Sequence, residues 1–311
     1  MLTPALLLLL VLLPAAAAAG APYKPSLYGL NEAQQLFRIA ANGSFEILSD
    51  PSPYLTAQQL SCVDAQRGIF YYIGYDRDTQ SPYLIGLSLA DGSQLTKTPL
   101  PFFDGNYIGV GQYLAVEPAS ASVFVGGQDA NRNHLLGLVA PSDGKFELLS
   151  NLTSTLRDVF GGASVFVPET NELFFELDLD LMILNLATRK VEVLPVSAGY
   201  EILGMTRDPS SGAVIGLGGG PGQGVRTVVA LHPANRSITV TGEVPDWAMQ
   251  MGGITAYDWQ AKSIFWMAQR TNADPTSQWY MVQNAAEGGR TLSAAPLCGN
   301  GQLCPWSLHY A

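Results

Sequence analysis

A short polar turn recurs along the chain with a period of about 48 residues, and the segments between turns break into short strands. The turn is carried by Asn42-Gly43, Asp91-Gly92, Asp143-Gly144, Arg189-Lys190, Asn235-Arg236 and Gly288-Gly289. Successive markers lie 49, 52, 46, 46 and 53 residues apart. Asn-Gly, Asp-Gly and Gly-Gly supply the positive φ angles of a two-residue hairpin turn, so each marker is read as a tight turn joining two strands. The intervening segments, such as GIFYYIGY, SVFVGGQ, ELFFELD and SIFWMAQ, are short, rich in aromatic and β-branched residues, and bounded by turn formers. No stretch after the first twenty residues carries an amphipathic helical period.

Four strands per repeat and six markers predict an all-β fold, a six-bladed β-propeller of four-stranded antiparallel blades. Five blades are expected at 55–100, 103–150, 153–196, 198–245 and 247–296. The sixth is split: residues 24–50 supply its second, third and fourth strands, and CPWSLHYA at 304–311 supplies its first. Pairing the C-terminal strand with the N-terminal blade removes open sheet edges that would otherwise template aggregation.

Residues 1–20 read as a signal peptide, with the apolar run LLLLLVLLP and small residues in AAAAAG. The apolar run is short of the ~20 residues that a bilayer span requires. Residues 21–311 are then a single exported domain with no membrane span, expected to be a monomer. Sequons at Asn42, Asn151 and Asn235 mark glycosylation sites, two of them on turn markers. Of three cysteines, Cys298 and Cys304 flank a short glycine-containing loop and are paired, leaving Cys62 as a buried thiol. Pairing Cys62 with Cys304 is the alternative. Acidic residues outnumber basic ones by 26 to 16 and no basic cluster occurs, which disfavours nucleic acid as a partner.

The outline ITAYDWQAKSIFWMAQ, in which an acid precedes a turn and an aromatic strand follows, resembles the YWTD blades of lipoprotein-receptor propellers; LSCVDAQRGIFYYIGYD repeats it. The similarity extends loosely to YWTD- and NHL-type secreted propellers. The Tyr-Trp-Thr-Asp string does not occur, and the resemblance covers blade architecture alone.

Loops joining fourth to first strands share one face of a propeller, and here they are aromatic. Tyr107, Phe160, Tyr200, Trp247 and Trp306 are expected to form a recognition rim, or else to fill gaps between blades. The same loops carry Asp104, Asp158, Glu201 and Asp246, which would form an oxygen-lined Ca²⁺ ring if they converge and solvated loop acids if they do not. The leading expectation is a secreted, non-catalytic propeller binding an extracellular protein, peptide or glycan, without a cofactor. The alternative is a Ca²⁺-dependent hydrolase or lactonase. No Gly-x-Ser-x-Gly elbow is present, and the three histidines fall on different blades. The DANRN segment at 129–133 and ELDLDL at 176–181 read as polar hairpin segments, and GLGGGPGQG at 216–224 as a loop.

Overall fold

The computed structural model describes residues 26–39, 45–56, 60–104, 113–152, 161–177, 180–194, 201–219, 227–244, 247–248, 255–270, 279–298 and 309–310. These form six antiparallel sheets arranged as a six-bladed β-propeller. Blade I is built from β1 (Leu27–Leu30), β2 (Leu36–Ile39) and β3 (Phe45–Ile47), with the final strand β26 (His309–Tyr310) as its innermost member. Blade II follows as β5 (Ser61–Asp64), β6 (Ile69–Asp76), β7 (Pro82–Ser88) and β8 (Gln94–Pro99). Blade III is β9 (Tyr113–Glu117), β10 (Ser122–Gln128), β11 (His134–Val139) and β12 (Phe146–Asn151). Blade IV is β13 (Gly161–Val167), β14 (Glu172–Leu177), β15 (Asp180–Asn185) and β16 (Lys190–Leu194). Blade V is β17 (Glu201–Arg207), β18 (Val214–Gly219), β19 (Thr227–His232) and β20 (Ser237–Glu243). Blade VI is β22 (Thr255–Asp258), β23 (Ser263–Arg270), β24 (Trp279–Ala285) and β25 (Thr291–Cys298). The expected closure is present: Leu27 pairs with Tyr310 and Tyr28 with His309. The innermost strands β5, β9, β13, β17, β22 and β26 neighbour one another in a closed ring.

Burial explains the sequence patterns. The inner three strands of a blade are covered on both faces by adjacent blades, so β6 is a nearly continuous apolar run and is buried along most of its length. The outermost strand borders water, and β8, QLTKTP, is mostly polar and exposed along most of its length. The core lies between blades. One cluster joins Tyr28 and Leu36 of blade I to Phe70, Tyr72 and Ile85 of blade II. Equivalent clusters join II to III, III to IV, IV to V, and V to VI. Between V and VI the fully buried Trp266 donates its indole N–H to Asn284 Oδ1 at 2.6 Å, and Asn284 in turn donates to the Gly289 carbonyl at 2.7 Å.

Two features depart from the sequence expectation. First, the marker turns are not two-residue loops. After β7 the pairing of Ser88 with Ser93 leaves four residues, and the Gly92 N–H donates to the Ser88 carbonyl at 2.8 Å. Only the last loop residue needs a left-handed backbone: φ is +72° at Gly92, +71° at Gly144, +56° at Arg189 and +61° at Arg236. That single requirement explains why arginine replaces glycine at two markers, at some steric cost. Gly288-Gly289 alone among the described markers has two positive φ values. Asn42-Gly43 lies outside the described residues. Second, blades II and VI have a fifth strand. β4 (Tyr54–Leu55) pairs with the end of β6, and β21 (Trp247–Ala248) with the end of β23. Both second strands are eight residues long while their first strands have four, so the incoming chain satisfies the backbone groups left over.

Among the described residues no helix is long and apolar enough to cross a membrane.

Candidate functional site

The first strands of the blades enclose a central cavity of about 430 Å³. Its walls come from β5, β9, β13, β17, β22 and His309 of β26, and it extends to the turns that join first strands to second strands. Those turns share one design. Asp64, Glu117, Val167, Asp208 and Asp258 each precede a four-residue loop. In four of the five this residue is acidic and caps the loop. Asp64 Oδ1 accepts the N–H groups of Gln66 and Arg67 at 3.1 and 3.0 Å, and Asp258 Oδ1 those of Gln260 and Ala261, both at 2.9 Å. The Glu117 carboxylate accepts from Ala119 and Ser120, and Asp208 from Ser210. The first loop residue is therefore equivalent in blades II to VI: Ala65, Pro118, Pro168, Pro209 and Trp259, all lining the cavity. Proline suits this position because its fixed φ matches the second residue of a common turn.

The charges around this mouth are engaged with one another or with backbone groups, several of them across blade boundaries. Arg67 bonds Asp64 Oδ2 at 2.9 Å and reaches the Pro118 carbonyl of the next blade at 3.1 Å. Arg207 of blade V holds Glu169 of blade IV, with Nε 3.0 Å from Oε2. Lys262 of blade VI donates to Asp208 Oδ2 of blade V at 2.8 Å. Burial opposes ionisation of Asp208, but hydrogen bonds from Lys262, Ser210 and Ser211 prevail and bring its pKa down to about 2. Farther out, Arg236 of blade V pairs with Glu172 of blade IV at 2.7 Å.

Deeper in the cavity the groups are neutral. Ser61 Oγ lies 2.8 Å from His309 Nε2, joining the closing strand to blade II, and the imidazole meets the Phe70 ring edge-on at 5.6 Å. Desolvation lowers His309 to about 4, so the ring is uncharged at neutral pH. Ser164 Oγ accepts the Leu114 N–H at 3.2 Å and donates to the Leu114 carbonyl at 3.0 Å, clamping blade IV to blade III. Cys62 is a buried free thiol, and desolvation with the neighbouring Asp64 charge pushes its pKa up, away from thiolate chemistry. Desolvation, followed by the Asp208 and Asp258 charges, raises Tyr257 to about 12. The cavity is thus a mainly apolar chamber whose collar pairs its three cations with carboxylates and carries two further acids, Glu117 and Asp258, held by backbone N–H groups. It can hold a small group in a preformed space.

The residues expected to form the opposite rim are only partly described. Asp104 is half-buried after β8, its N–H donating to the Gln128 carbonyl at 2.8 Å. Glu201 opens β17, and Trp247 lies in β21 paired with Arg270. Tyr107, Phe160, Tyr200, Trp306, Asp158 and Asp246 lie outside the described residues. Among the described residues no group of three or more His, Cys, Asp or Glu side chains could hold a metal ion. Asn151 is exposed on β12; Asn235 is exposed in a turn, its Oδ1 accepting from Ser237 N–H and Oγ–H at 3.0 and 2.8 Å. Cys298 ends β25, while Cys304 and Asn42 lie outside the described residues. Asp129 Oδ1 accepts the N–H groups of Asn131 and Asn133, both at 2.8 Å, as a hairpin loop requires.

Sequence reasoning put its candidate residues on the loops between blades, and noted the acid before the first-to-second turn only in LSCVDAQRG and ITAYDWQAK, without reading those turns as a site. The signal was present in DAQRG, EPASA, VPETN, DPSSG and DWQAK, which align when each first strand is followed to its end.

No protein-family model matches the chain, and no curated protein matches it. Solved structures do. TolB from Acinetobacter baumannii superposes with a TM-score of 0.65 at 12% identity, over 92% of this chain and 66% of that one. A putative TolB from Agrobacterium tumefaciens gives 0.57 at 11% identity, over 89% and 91%. An oligogalacturonate lyase in complex with manganese gives 0.54 at 9% identity, over 86% and 71%. The chain spans about two thirds of the Acinetobacter TolB chain. At these identities the likeness is one of fold: this chain is a six-bladed β-propeller, similar in architecture to TolB and to oligogalacturonate lyase.

Proposed function

We propose that this is a secreted, non-catalytic propeller that binds a protein, peptide or glycan partner. The observation that carries the reading is the preformed central cavity, open at a collar of equivalent turn residues from five blades. Its volume lies in the range of ordinary ligand sites, and its walls combine a larger apolar surface with polar side chains from Ser61, Ser164, Thr206, Thr255 and His309, as such sites usually do. Burial keeps the Cys62 thiol protonated and makes His309 a weak base, both shifted away from the pKa range that suits proton transfer at neutral pH, which supports the binding reading. The leader-like residues 1–20 and the sequons support export. The aromatic loops with Tyr107, Phe160, Tyr200, Trp247 and Trp306 are proposed as a second surface for the same class of partner.

Site-specific photocrosslinking tests this reading. A photoreactive residue at position 259 should trap a discrete partner from the fluid around the producing cells. The same residue at Leu95, exposed on an outer strand, should not. Equal labelling from both positions, or labelling from Leu95 alone, would refute a channel-mouth site.

A further inference from the structure

We infer that the partner is a peptide segment that inserts one uncharged, apolar side chain through the collar into the cavity, an inference that rests on the partner-binding reading above. Three observations select this ligand chemistry. The first is the collar. Pro118, Pro168, Pro209 and Trp259 occupy the same loop position in four successive blades, and all border the cavity. Proline has a locked φ, and each loop is held by hydrogen bonds or ion pairs, so little conformational freedom remains to be lost on binding. A rigid apolar ring around a deep cavity is the geometry of an anchor pocket, in which one buried side chain carries much of the affinity.

The second observation is electrostatic. Arg67, Arg207 and Lys262 each hold a carboxylate, and the capping acids accept backbone N–H groups. A carboxylate or phosphate entering here meets five carboxylates, Asp64, Glu117, Glu169, Asp208 and Asp258, and only three cations, each already holding one of them, so an anion is disfavoured. The third concerns the wall. Val63, Leu114, Val116, Val165 and Met205 supply apolar surface, while the hydroxyls of Ser61 and Ser164 are already committed to His309 and to the Leu114 backbone. A sugar ring needs several hydrogen-bonding partners when buried, and beyond the committed serines the lining adds chiefly the side chains of Thr206, Thr255 and Gln66 to a mainly apolar surface. An aromatic or aliphatic side chain needs none.

The test uses a random peptide library selected on the full-length protein, with neutral and acidic oligosaccharides screened in parallel. Indole and p-cresol, followed by ligand-observed NMR, are minimal probes of the cavity. Three variants report: Thr206→Trp, at a β17 residue that lines the cavity and whose enlargement fills it, Trp259→Ser, which opens the collar, and Trp259→Phe, which keeps it apolar. Circular dichroism checks each fold, and if Thr206→Trp does not fold the two Trp259 variants decide. The expected result is selected peptides sharing one aromatic or aliphatic position, with affinity falling about tenfold or more when that position becomes alanine. Trp259→Ser should weaken them comparably and Trp259→Phe should not. Indole or p-cresol should be displaced by the same peptides. Selection of a charged anchor, or of oligosaccharides in place of peptides, with binding still lost on filling the cavity, overturns the apolar-peptide inference and leaves the partner-binding site standing. Binding indifferent to all three variants, or no binding by any ligand, overturns both.

Discussion

Acidification from pH 7 to pH 5 should loosen the propeller at its closure, and His309 should be the reason. The imidazole sits on a two-residue strand that completes blade I, and it bonds Ser61 of blade II at 2.8 Å. Burial lowers its pKa from 6.5 to about 4. The unfolded chain therefore binds a proton before the folded one does. Stability is whole above about pH 6.5, falls through the interval down to about 4, and is flat below that for this group. The full gap corresponds to about 3 kcal/mol, and roughly 2 kcal/mol should be gone by pH 5. Replacing His309 with Gln removes the titration and retains an amide that can reach Ser61 Oγ. His134 is also depressed by burial, but it is common to both proteins, so the readout is their difference. Asp208, at about 2, loses its contribution only below pH 4 and stays outside the interval. Denaturant unfolding at pH 7, 6 and 5, followed by tryptophan fluorescence, should show wild type losing about 2 kcal/mol more than His309→Gln. Equal losses in the two proteins would refute the assignment of a neutral, desolvated histidine at the closure.

Gly92→Ala and Gly288→Ala separate backbone strain from crowding. Both positions have φ near +70°, yet an added Cβ at Gly92 meets the Leu48 carbonyl oxygen at 2.4 Å, whereas at Gly288 it meets nothing within 4 Å. Gly92→Ala should cost at least about 1 kcal/mol more in denaturant unfolding, and equal costs would contradict the packing of this turn on blade I. Asn284→Leu should lower stability by about 2–5 kcal/mol, because the Trp266 indole N–H and the Gly289 carbonyl both lose a buried partner; a loss under about 1 kcal/mol in the same assay would show the pair to be dispensable. Adding Ca²⁺ should leave the thermal midpoint where a chelator leaves it, and a midpoint rising with Ca²⁺ concentration would favour the hydrolase alternative with Asp104, Asp158, Glu201 and Asp246 as ligands.

The blade count, the order of strands and the split blade were legible from the sequence because each rests on local chemistry repeated six times. A loop that ends in a left-handed residue selects glycine or a polar residue, and a strand covered on both faces selects an unbroken apolar run such as IFYYIGY. The closing role of His309–Tyr310 followed from counting, since one blade lacked an inner strand. Turn length was not legible, because the Asp-Gly pair occupies the end of a four-residue loop as readily as the whole of a two-residue one. The central cavity was not legible either. Ser61 and His309 lie at opposite ends of the chain, and Pro118, Pro168, Pro209 and Trp259 become neighbours only when blades are set around an axis. Sequence determines which residues end each first strand. Closing the ring determines that those ends face one cavity, and that Arg67, Arg207 and Lys262 reach across blade boundaries to hold its collar together.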